Sequence, residues 1–107
     1  MALFNKFTIN LDEKAFELIN RRRRQILVHS YLYYELNTNL INDTTFDAWC
    51  KELVQLHNKY PKESQKAVFT DVFMEWTGFS GYDLISKCDR STQMWVRKKA
   101  KQLIKTL

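Results

Sequence analysis

Tyr31-Leu32-Tyr33-Tyr34, the polar turn Asn37-Thr38-Asn39-Leu40-Ile41, and then Asn42-Asp43-Thr44-Thr45-Phe46-Asp47 decide how this chain folds. The first segment closes an amphipathic run. From Asp12 onward Phe16, Ile19, Ile26, Leu27, Tyr33 and Tyr34 recur at spacings of three, four and seven, which lays them along one helix face. Glu17 stands one turn before Arg21, a favourable order for an ion pair. The pattern predicts a long helix ending near Leu36. After the turn, Asn42 is a good N-cap, and Asp43 falls in the first turn, where the positive end of a helix favours a carboxylate. The second helix carries Phe46, Trp49, Cys50, Leu53, Leu56 and Tyr60 on one face and stops at Pro61. Residues 12–61 therefore form an antiparallel hairpin whose turn gathers aromatic rings and two carboxylates.

Working outward, Leu3 to Leu11 alternates weakly, with Phe7, Ile9 and Leu11 on one side, and reads as a short strand or an extended arm. Beyond the hairpin, Ser64 can cap a short helix with Val68, Phe69, Val72, Phe73 and Trp76 facing inward. The breaker run Thr77-Gly78-Phe79-Ser80-Gly81 ends it as a surface hinge. Asp89 or Ser91 then starts a last helix with the stripe Val96, Ala100, Leu103 and Leu107, and with Arg97, Lys98, Lys99, Lys101 and Lys105 away from it. The expectation is an all-α fold: a helical hairpin, a short helix and a basic C-terminal helix in one domain of residues 1–107, of which 62–107 form an extension to the hairpin.

Composition agrees with that reading. At 107 residues, with 45% hydrophobic and 14% aromatic residues, the chain is long enough and apolar enough to enclose one core. Two glycines and one proline leave little material for the turns of a many-stranded sheet. No apolar run approaches the ~20 residues that cross a bilayer, and the first ten residues lack the pattern of a secretory leader. A cytoplasmic protein without a membrane partner is expected. Cys50 and Cys88 form neither a C-x-x-C pair nor a zinc pattern, so buried reduced thiols and no metal are expected. A net charge of +5 permits nucleic acid, an acidic protein or a phosphorylated ligand and selects none of them.

The run Tyr31 to Tyr34, the helix start Ile41 to Asp47 and the finish marked by Leu53, Leu56 and Pro61 together resemble the N-terminal Ia domain of the NAD-dependent bacterial DNA ligases. The resemblance covers roughly residues 15 to 61, about half the chain. In that family these segments form the site for the nicotinamide mononucleotide half of NAD. The resemblance implies that Tyr33, Tyr34, Asp43, Phe46 and Asp47 line a nucleotide site, and Phe46 stands where the family has tyrosine. The chemistry is apt: a ring for stacking, carboxylates for ribose hydroxyls, and a cation or helix N-terminus for phosphate. The lysine nucleophile of the ligases sits in a Lys-x-Asp-Gly motif that the sequence lacks, so catalysis is expected only in trans with a separate adenylation domain.

Other readings stay open at this point. Tyr33 and Phe46 can simply pack the hairpin while Asp43 caps it. A short chain resembling one piece of a replication enzyme also suits a phage-type interaction protein that binds and inhibits a host protein or defence system, or binds DNA. For such a partner the candidate contacts are Arg97, Lys98, Lys99 and Lys101 together with the aromatics Phe79 and Tyr82. Of the run Arg21 to Arg24, three side chains should be solvated. Arg23 falls in the apolar band and needs a carboxylate or anion, with a salt bridge to an acidic side chain the plainer expectation. Cys50 and His57 lie about 10 Å apart along one helix, beyond the reach of a nucleophile and its base.

Overall fold

The structure, a computed structural model, describes residues 11–78 and 81–107. The expected arm from Leu3 lies outside the described residues apart from Leu11. Among the described residues the fold is all-α: α1 (Glu13–Leu36), α2 (Asp43–Lys59), α3 (Pro61–Lys66), α4 (Thr70–Phe73), a 3₁₀ turn (Ile85–Lys87) and α5 (Arg90–Lys105). No helix among them is long and apolar enough to cross a membrane.

Local chemistry sets the ends of the long helices. Asp12 caps α1 by accepting the Ala15 amide at 3.0 Å, Asn42 caps α2 through Thr45 at 2.7 Å, and Asp89 caps α5 through Thr92 at 2.7 Å. α1 ends at Asn37, whose left-handed backbone (φ 51°) suits asparagine better than a bulkier residue. The Thr38 amide reaches back to the Leu32 carbonyl at 2.8 Å. α1 and α2 pack as the expected hairpin, and α5 lies along α1. Their joint core holds Ile19, Ile26, Leu27, Leu32, Leu53, Phe73, Leu84, Val96 and Ala100. A fully buried Leu or Ile here contributes about 1.5–3 kcal/mol.

Four expectations need correction. The predicted helix from Ser64 is two pieces. Ser64 lies inside α3, where its hydroxyl donates to the Tyr60 carbonyl at 2.7 Å. The chain then extends at Ala67 and turns left-handed at Phe69 (φ 60°), which costs about 1–2 kcal/mol in a non-glycine residue. Val72 and Phe73 are buried, whereas Val68, Phe69 and Trp76 are half-buried. The break has a tertiary cause: α1 grips both polar groups of Val68, Asn20 Oδ1 accepting its amide at 2.8 Å and Arg23 Nη1 donating to its carbonyl at 2.8 Å.

Arg23, 2% exposed, has no carboxylate partner among the described residues. Its guanidinium instead donates to the carbonyls of Val68 and Ser64, to Thr70 Oγ1 at 3.1 Å, and to Nε2 of His57 at 3.2 and 3.0 Å. Burial lowers its pKa to about 10, so it stays charged at neutral pH. Arg22 is not solvated either: it pairs with Glu52 and lies 5.5 Å from the centre of the Trp49 ring. The apolar stripe of α5 ends at Ala100, leaving Leu103 partly and Leu107 largely exposed.

Because two Arg23 donors converge on His57 Nε2, that nitrogen must keep its lone pair. Burial first, and the Arg23 charge second, hold the His57 pKa at about 4 against an ordinary 6.5. The folded chain thus binds fewer protons than the unfolded chain between pH 6.5 and 4. This contribution is intact above pH 6.5 and is lost as pH falls towards 4. Urea midpoints should drop across that window in the wild type, and His57→Gln, whose amide oxygen can accept from Arg23, should flatten the drop. An unchanged pH profile in the variant would assign the loss to other groups.

Candidate nucleotide cleft

The hairpin turn opens into a cleft of about 510 Å³ between the end of α1, residues 38–41 and the start of α2. Tyr33, Tyr34, Asp43, Phe46 and Asp47, the five residues singled out in the sequence, all line it. Helical spacing explains the gathering. Asp43, Phe46, Asp47 and Cys50 share one face of α2, and His29 lies one turn before Tyr33 on α1.

The aromatic side is a row of rings packed edge to face. Tyr33 and Tyr34 have centroids 4.7 Å apart at 86°, and Tyr34 meets Tyr82 at 5.3 Å and 88°. Tyr33 is 45% and Tyr34 40% exposed, so both present ring surface to the cleft rather than filling the hairpin core. Phe46 is half-buried. On the acidic side, Asp47 Oδ2 pairs with Lys51 Nζ at 3.0 Å in a largely exposed pair, which brings a cation next to the carboxylate. Asn42 takes the Thr45 amide, and the first-turn amides of Asp43 and Thr44 have no acceptor within the helix.

His29, Cys50 and Gly78 were missed in the sequence. His29 stands edge-on to Trp49 at 5.3 Å, and burial lowers its pKa, so it is a neutral imidazole at pH 7. Its position four residues before Tyr33 was the available signal. Burial, and then the Asp47 charge, push the Cys50 thiol up to about 11, and His57 is committed to Arg23, so no thiolate nucleophile forms. Gly78 had no local signal.

The two glycines of the expected surface hinge pack against the hairpin, whereas Thr77 is exposed. Gly78, left-handed at φ 82°, lines the cleft, and a Cβ there would stand 2.4 Å from Val54 Cγ2. Gly81 is buried, and a Cβ there would meet Ser30 Oγ at 2.1 Å and Phe46 Cζ at 3.3 Å. Tyr82, 69% exposed, continues the ring row at the rim. Phe79 lies outside the described residues. Arg97, Lys98, Lys99 and Lys101 are exposed on α5 and do not line the cleft.

Aromatic rings and carboxylates thus converge on the turn of an all-α hairpin. The model of the family described as DNA ligase-like, N-terminal NAD+-binding domain, matches residues 12–67, just over half the chain, and the chain belongs to that family. It is 40% identical over 53 residues to the DNA ligase of Thermosipho africanus, a stretch that covers 49% of this chain and 8% of the ligase. It is 43% identical over 49 residues to the DNA ligase of Syntrophobacter fumaroxidans, covering 46% and 7%. The DNA ligase of Hydrogenobaculum sp. is 41% identical over 49 residues, with the same two shares. The chain thus spans less than a tenth of the length of these relatives. No solved structure matches it.

Proposed function

We propose that the cleft binds the nicotinamide mononucleotide half of NAD and that the chain is a recognition module, not a ligase in its own right. The observation that carries this reading is the convergence of Tyr33, Tyr34, Asp43, Phe46 and Asp47 on one cleft in a chain of this family. The residues present fit the ligand. About 510 Å³ lies within the roughly 300–1,000 Å³ of small-molecule sites. The exposed tyrosine faces and Phe46 offer stacking surface, Asp43 and Asp47 offer acceptors for ribose hydroxyls, and Lys51 with the first-turn amides of α2 offers positive potential for the phosphate. Neutral His29 can accept or donate one further hydrogen bond.

The 107 residues hold no Lys-x-Asp-Gly lysine, so this reading assigns adenylyl transfer to an adenylation domain acting together with the chain. Calorimetric titration tests it. The mononucleotide and NAD should give saturable heat, adenosine monophosphate should not, and NAD labelled in its adenylyl phosphate should leave no covalent label on the protein. Absence of heat at millimolar mononucleotide would leave the hairpin as a scaffold only, and covalent labelling would show a nucleophile of a different kind.

A further inference from the structure

The net charge of this protein is concentrated on one element. α5 carries six of the seventeen cations and none of the twelve acids, which leaves eleven cations against twelve acids in the rest of the chain. All six are exposed, and none has an ion pair among the described residues. At 100° per residue, Arg90, Arg97, Lys98, Lys101 and Lys105 fall within an arc of about 100°, a straight stripe about 22 Å long, whereas Lys99 lies about 100° outside it. The stripe faces away from Val96 and Ala100, which are fully buried towards α1.

We propose that this stripe is a docking surface for the phosphate backbone of duplex DNA, independent of the nucleotide cleft and formed by the part of the chain beyond the family match. Charge complementarity selects a polyanion, because an unpaired row of five cations with no acid on the same helix pairs best with a row of regularly repeated negative charges. A lipid surface fits less well. The apolar side of α5 is already spent on α1, and only Leu103, Ile104, Leu107 and Met94 remain exposed on the helix and its end. A single strand fits less well too, since such sites interleave cations with stacking rings, and Trp95, the sole aromatic of α5, packs against Phe69 at 5.7 Å. Backbone contacts of this kind position a protein without reading sequence.

The test is fluorescence anisotropy of the full chain with a labelled random-sequence duplex at several salt concentrations. Five phosphate contacts give a slope of log affinity against log salt of about −4.5, a loss of roughly 500-fold between 50 and 200 mM salt. The stripe variant Arg97→Gln/Lys101→Gln/Lys105→Gln should reduce the slope to about −1.8 and the loss to roughly 12-fold. The control Lys62→Gln/Lys66→Gln/Lys99→Gln removes the same charge from other surfaces and should keep the wild-type slope. Circular dichroism melts confirm that both variants fold. Equal weakening by the two variants would reduce the effect to net charge and overturn the proposal. So would no duplex binding at 50 mM salt, or displacement of duplex by polyglutamate at equal charge, which would point to an acidic protein instead.

Discussion

Replacing Arg23 with methionine should lower the unfolding free energy by about 3–5 kcal/mol, a large share of the roughly 5–15 kcal/mol that a domain of this size has. Methionine keeps most of the volume, so the loss comes from polarity more than from a cavity. The carbonyls of Ser64 and Val68 and the His57 nitrogen would each lose a buried donor, at about 1–3 kcal/mol for each group left unsatisfied. Arg23→Lys should fall between, because one ammonium cannot reproduce a planar fork that meets Ser64, Val68, Thr70 and His57 together. Removing the charge should also raise the His57 pKa, since Arg23 is its second depressing influence after burial. Denaturant midpoints and the NMR titration of His57 check both parts. A methionine variant of unchanged stability would mean that the segment 64–70 is held by its apolar contacts alone.

In the cleft, Asp47→Ala should weaken mononucleotide binding by about ten- to a hundredfold, the roughly 1.5–3 kcal/mol of a charged hydrogen bond, without unfolding the protein. Its carboxylate is 61% exposed, and its ion pair with Lys51 is of the surface kind worth about 0–1 kcal/mol, so stability should hardly change. Phe46→Tyr, which adds a hydroxyl to the cleft, should strengthen binding or leave it unchanged. Calorimetry gives the affinities and a thermal melt gives the stability. If Asp47→Ala bound as well as the wild type, the ribose would have to be held by Asp43 or by another group, and the assignment of Asp47 would fail.

Asp47 was legible because every residue that places it is close in sequence. The caps Asp12 and Asn42, the left-handed Asn37 and the three-four spacing of α1 and α2 are local signals. Once the two helices form, a short turn brings their ends together with little freedom left, so the ring pair of α1 meets the carboxylate pair of α2. The partners of Arg23 were not legible. They lie 34 to 47 residues away, and the expected carboxylate is replaced by a histidine nitrogen, a threonine hydroxyl and two backbone carbonyls, the last of which have no residue identity to read.

Helix periodicity and capping act over a few residues, and they were enough to place the two long helices, the basic last helix and the meeting of rings and carboxylates at the turn, where the family resemblance singles out five residues. Only the tertiary structure decided the rest: that α1 breaks the predicted third helix by clamping Val68, that Gly78 and Gly81 close against the hairpin, and that Leu103 and Leu107 find no core to join. Each of these is settled by what lies opposite in space, where a buried donor must find an acceptor and a Cβ must find room, and no local pattern encodes the opposing surface.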